Sequence, residues 1–121
     1  MVRPYHPARE LEGHLDRGEL DSAIVLAHAL TRERGRPLDL EVTLRFLPLI
    51  AAQRPDAFDP WALRWLERWC GERRGRASIE DAGELAAALA EVPVDPERAL
   101  HTIAALHERL AAAWNVEESR R

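Results

Sequence analysis

Proline, glycine and capping residues punctuate this chain so regularly that helices can be marked between them from end to end. Almost no β-branched alternation competes with that pattern. Pro7 is a good first-turn residue for a first helix ending near Gly18, and a second runs from Glu19 to Arg34 and stops at Gly35. Asp39 caps a third from Leu40 to Gln53. Its residues Leu40, Val42, Leu44, Phe46, Leu47, Leu49, Ile50 and Ala51 leave a polar strip only at Glu41 and Arg45, which assigns it to the centre. Pro48 falls inside it and removes the bond to the Leu44 carbonyl, so a kink or early break is expected there. Asp59-Pro60 marks the start of a fourth helix reaching Glu72. Ser78 with Asp81 forms a variant capping box for a fifth helix to Glu91, and Asp95-Pro96 starts a sixth that reaches Trp114.

These signals predict an all-α chain, a compact five- or six-helix irregular bundle or short α-α superhelix with the third and fourth helices at its centre. At 121 residues with 46% hydrophobic content, it has room for one core and no second domain. Residues 1–121 are therefore read as one helical domain with short flexible tails at about 1–6 and 115–121. The lone Cys70 permits no intrachain disulfide and is expected in the core or an interface. No apolar run approaches the roughly 20 residues that span a bilayer. The first residues lack a signal-peptide core, so a cytoplasmic location is expected.

The stretch Gly18-Glu19-Leu20-Asp21-Ser22-Ala23-Ile24-Val25-Leu26-Ala27-His28-Ala29-Leu30 resembles the second half of a tetratricopeptide repeat. The tryptophan and leucine-glycine of that family's first helix are missing, and no copy follows at a 34-residue period. Residues about 58–100 resemble a group of small all-helical proteins of high-GC bacteria. The likeness runs through Trp61-Ala62-Leu63-Arg64-Trp65-Leu66-Glu67-Arg68-Trp69-Cys70-Gly71-Glu72 and Pro93-Val94-Asp95-Pro96-Glu97-Arg98-Ala99-Leu100. It implies an all-helical fold and no particular activity. The chain's 17 basic residues are all arginine, which a high-GC codon bias explains; selection for planar anion contacts is the other reading.

Trp61, Trp65 and Trp69 recur every four residues and spread over about 80° of one helix side. With Ala62, Leu63, Leu66 and Cys70 the apolar arc widens to about 200°, more than a one-sided surface helix needs. Either the helix is central and its tryptophans are core, or the Trp61 edge, flanked by Arg64 and Arg68, is exposed as a partner hot spot. An arc this wide also points to self-association as a homodimer. Next, Arg73, Arg74 and Arg76 lie in a glycine-flexible connection feeding a helix N-terminus, a combination that suits a phosphate or carboxylate if the loop is not simply solvated. From residue 79 to 97 the charge reverses, and Glu80, Asp81 and Glu84 form an acidic face that can meet the arginine loop within the chain or in another copy.

Catalytic and metal chemistry find little support. The five histidines show no His-Glu-x-x-His spacing, and His107, between Ile103 and Leu110, reads as a satisfied core or interface histidine. Ser22, Ser78 and Ser119 have no strand-turn-helix elbow, and no P-loop glycine pattern is present. No cofactor or metal is expected. The sequence thus points to a non-enzymatic protein-interaction module, an adaptor, regulator or accessory subunit, using Trp61, Arg64, Arg68, Arg73, Arg74 and Arg76. The alternative is a nucleic-acid-binding accessory protein using the Trp/Arg segment 61–76, against which the net charge of -4 weighs. An enzyme or small-ligand domain would need groups that only the fold brings together.

Overall fold

The computed structural model describes residues 7–73 and 77–119, with the backbone alone for Trp114, Glu117 and Glu118. Arg74, Arg76 and the expected tail at 1–6 lie outside the described residues. Seven helices and no strands make up the described chain: α1 (Pro7–Asp16), α2 (Leu20–Arg34), α3 (Leu40–Leu44), α4 (Phe46–Gln53), α5 (Pro55–Glu72), α6 (Ile79–Glu91) and α7 (Pro96–Ser119). The all-α expectation holds.

Local chemistry sets four of the boundaries. Gly18 and Gly35 take positive φ of 71° and 67°, a region that side chains with a Cβ avoid, and they end α1 and α2. At α6 the capping box forms in full: Ser78 Oγ accepts from the Asp81 amide at 3.1 Å, and Asp81 Oδ2 accepts from the Ser78 amide at 2.9 Å. Asp95 Oδ1 accepts from the Arg98 amide at the start of α7.

Three boundaries differ from expectation. The third helix breaks at Arg45, whose amide closes α3 with a tight bond to the Val42 carbonyl at 3.1 Å, rather than at Pro48. Pro48 then sits in the first turn of α4, where its missing N–H leaves no helical bond unmade. The fourth helix starts at Pro55, not Pro60. Pro55 supplies the preset φ of a first helical residue, and the added turn buries Phe58 at 4% exposure. Pro60 is carried inside α5. Finally, α7 continues through Asn115 to Ser119, into the stretch expected to be tail, because no glycine or proline follows its alanine-rich run.

The helices pack largely in chain order: α1 with α2, α4 with α5 and α6 with α7, while α2 also meets α4, and α5 also meets α3 and α6. One continuous core joins them through residues such as Leu11, Leu20, Leu47, Ile50, Trp69, Leu85 and Ile103. No buried polar or charged residue occurs among those described. Polar ties hold the α1–α2 corner against α4: Gln53 Nε2 donates to the Gly18 carbonyl at 2.7 Å, and Arg45 and Arg54 pair with Asp16 and Asp21. No described helix is long and apolar enough to cross a membrane.

Because Pro48 occupies a first-turn position, Pro48→Ala should change stability by less than about 1 kcal/mol in urea denaturation, the scale of proline's effect on the unfolded chain. Stabilisation well beyond that would mean that the proline forces the break at Arg45.

Candidate functional site

The side of α5 that carries Trp61, Arg64, Trp65 and Arg68 forms one wall of an open cleft of about 450 Å³, completed by His28 from α2, Thr43 from α3 and Leu47 from α4. A smaller extension of about 170 Å³ adds Ile24, Ala27 and Thr31 from α2, Pro37 and Leu38 from the α2–α3 connection, and Phe46. The three tryptophans of α5 divide between the core and the cleft edge. Trp65 and Trp69 are core at 5% and 0% exposure, whereas Trp61 is partly buried at the cleft edge. Its indole stacks on Phe46, with ring centroids 6.4 Å apart and planes at 17°. The Arg64 guanidinium lies over its ring, 5.4 Å from the centroid. Arg68 is partly buried and donates from Nε to Glu72 Oε2 at 2.5 Å, one turn along α5.

The rest of the arginine segment goes elsewhere. Arg73 lies nine residues beyond Arg64, about 180° around the helix. It lines a separate groove with Glu41, Leu44, Ala104, His107, Glu108 and Ala111. The acidic face is largely engaged within the chain. Asp81 completes the capping box, so the positive end of α6 already faces a carboxylate of its own, and both Glu84 carboxylate oxygens accept from Arg109 Nη2 at 2.8 Å. That contact holds the Arg109 guanidinium above its ordinary pKa. Glu80 is exposed. The wide apolar arc is covered mainly by α3, α4, α6 and α7, with Leu63 exposed. Cys70 is exposed, which removes it from the core.

His107 has a structural role that its sequence neighbours only outlined. The Trp69 indole N–H donates to His107 Nε2 at 2.9 Å, and the imidazole stacks on both Trp69 and Trp65, with centroids 6.2 and 6.4 Å away. An indole can only donate, so Nε2 must accept and the ring proton resides on Nδ1. Burial, and then the nearby Arg73 guanidinium, hold His107 below the ordinary imidazole pKa of 6.5, against an opposing pull from Glu41. His14 contacts Glu19 at 2.9 Å, across the α1–α2 connection. That bond, joined by one from Arg17, draws the exposed Glu19 carboxyl below its ordinary range. Among the described residues no group of three or more His, Cys, Asp or Glu side chains is placed to hold a metal ion.

The cleft therefore combines three aromatic side chains, an aliphatic floor and two guanidinium groups, with no acidic residue lining it. Trp61, Arg64 and Arg68 were visible from their spacing along one helix. His28, Thr43, Phe46 and Leu47 carry no local signal, because only the packing of α2, α3 and α4 against α5 brings them there. Comparison of the chain with protein families, with curated proteins and with solved structures gives no match.

Two predictions separate core from site. Trp69→Ala should cost about 3–5 kcal/mol in urea denaturation followed by circular dichroism. Trp61→Ala should retain the helical spectrum at a cost below about 2 kcal/mol, the scale of a partly exposed side chain; an equal loss in both variants would place Trp61 in the core.

A further prediction concerns pH. Because the folded state lowers the His107 pKa, the unfolded chain binds the proton more readily. Its stabilising contribution is complete above about pH 6.5 and is lost as pH falls through the folded value. The carboxamide oxygen of His107→Gln can still accept from Trp69 without titrating. Urea denaturation between pH 7.5 and 5 should show wild type losing more stability than this variant, and parallel curves would contradict the assignment.

Proposed function

We propose that this chain is a non-enzymatic protein-interaction module, an adaptor, regulator or accessory subunit, that docks a partner in the cleft between α2 and α5. The observation that carries the reading is the partly buried Trp61, stacked on Phe46 and with the Arg64 guanidinium over its ring, at the edge of an open, mostly apolar cleft. Tryptophan and arginine dominate interaction hot spots because they combine large contact area with directed hydrogen bonding. The cleft is open along its length, which suits a chain segment better than an enclosed small molecule. A cytoplasmic setting accords with the single, exposed Cys70.

Nucleic-acid binding is the rival reading, motivated by the interleaving of tryptophan and arginine from 61 to 76. The net charge of -4 and the position of Arg73 away from Trp61 count against it. Self-association would use the same exposed edge.

A tagged full-length chain exposed to lysate of its native host should retain a stoichiometric protein at low salt. With that protein purified, Trp61→Ala should weaken binding by at least about 2 kcal/mol while leaving the circular dichroism spectrum unchanged. A partner bound equally well by Trp61→Ala would remove the cleft from the reading. Retention of nucleic acid alone, reversed by salt, would favour the rival.

A further inference from the structure

The reading of the cleft as a protein-docking surface leaves its occupant unspecified, and the layout of its walls narrows the choice. Along α5, Trp61 and Trp65 form one row and Arg64 and Arg68 a parallel one, each pair a helical turn apart with side-chain bases about 6 Å from each other. The two rows together run about 10 Å along the helix axis. Opposite them, Ile24, Ala27 and His28 of α2 and Leu47 of α4 supply a mostly aliphatic surface. No acidic side chain lines either part of the cleft, in a chain whose net charge is -4.

The two cations are also available to a partner. Among the described residues no carboxylate lies within ion-pair distance of Arg64, and stacking on Trp61 leaves the edge of its guanidinium open to a carboxylate. Arg68 meets Glu72 through Nε, so its two terminal nitrogens retain donors. We propose that the cleft receives an amphipathic helix of a partner protein bearing two carboxylates one turn apart, beside a stripe of leucine or aromatic side chains. Carboxylates at i and i+4 repeat the spacing of Arg64 and Arg68, and the adjoining apolar stripe falls against Trp61, Phe46 and Leu47. A partner helix of about three turns spans the cleft.

The test is selection of displayed helical peptides, randomised along one face, on the full-length chain. Enriched peptides should carry Asp or Glu at i and i+4 next to an apolar stripe. The best of them should bind roughly tenfold more weakly to the Arg64→Gln, Arg68→Gln double variant, and Glu→Gln in the peptide should have the same effect. Arg109→Gln, on α7, should bind as wild type, and Arg64→Gln alone carries the comparison if the double variant misfolds. Enrichment of peptides without acids, of acids at i and i+2 as in an extended strand, or of binders indifferent to Arg64→Gln would overturn the acidic-helix assignment while leaving the docking surface in place. Failure to enrich any peptide whose binding depends on Trp61 would overturn both.

Discussion

Two indole N–H groups organise this fold. A tryptophan buried to a few per cent exposure brings a large apolar surface into the core together with one donor that needs an acceptor. In α5 the need arises twice. Trp65 donates to the Leu40 carbonyl at 3.0 Å, with Thr43 Oγ1 3.1 Å away, and Trp69 donates to His107 Nε2 at 2.9 Å. The first bond ties α3 to α5 and the second ties α7 to it. Leaving such a donor unpaired costs about 1–3 kcal/mol, beyond what the lost packing costs. These bonds also fix the rotation of α5 about its axis. With Trp65 and Trp69 held inward, Trp61, Arg64 and Arg68 have no freedom but to face the gap towards α2. Core and cleft are thus two faces of one constraint.

The same distinction between local and long-range chemistry explains how far the sequence could be read. The ends of α1 and α2 at glycine, the capping box of α6 and the Asp95-Pro96 start of α7 each depend on groups within a few residues, and all were readable. The true start of α5 was not. Asp59-Pro60 carries the stronger cap signal, but burial of Phe58 rewards one further turn, and that reward comes from tertiary packing. At Pro48 the local argument expected a kink or an early break, and the break falls three residues earlier. The chain breaks at Arg45 and thereby gives the proline a first-turn position that satisfies it.

For the site, spacing along one helix identified Trp61, Arg64 and Arg68 as one edge, yet grouping them with Arg73 followed sequence proximity rather than helical angle. A rotation of about 100° per residue places Arg73 on the far side, where it faces His107 and Glu41. The apolar position of His107 was visible, but its partner lies on another helix, and no periodicity within α7 points to Trp69.

The distribution of charge completes the physical picture. Seven described acids have a partner within the chain: Asp16, Asp21, Glu19, Glu72 and Glu84 each meet an arginine, Asp81 caps α6 and Asp95 caps α7. Exposed pairs of this kind contribute little to stability, about 0–1 kcal/mol each, so their main consequence is to neutralise surface fields. Where they are absent, a field remains. The cleft is such a place: Arg64 has an aromatic ring beneath it instead of a carboxylate, and the surrounding apolar walls lower the local dielectric and strengthen any charge that enters. A chain of net negative charge thus presents a cationic cleft lined with aromatic surface. Attraction of an acidic segment there requires no rearrangement of the core, because the two buried indoles that fix α5 have already set the arginines in place.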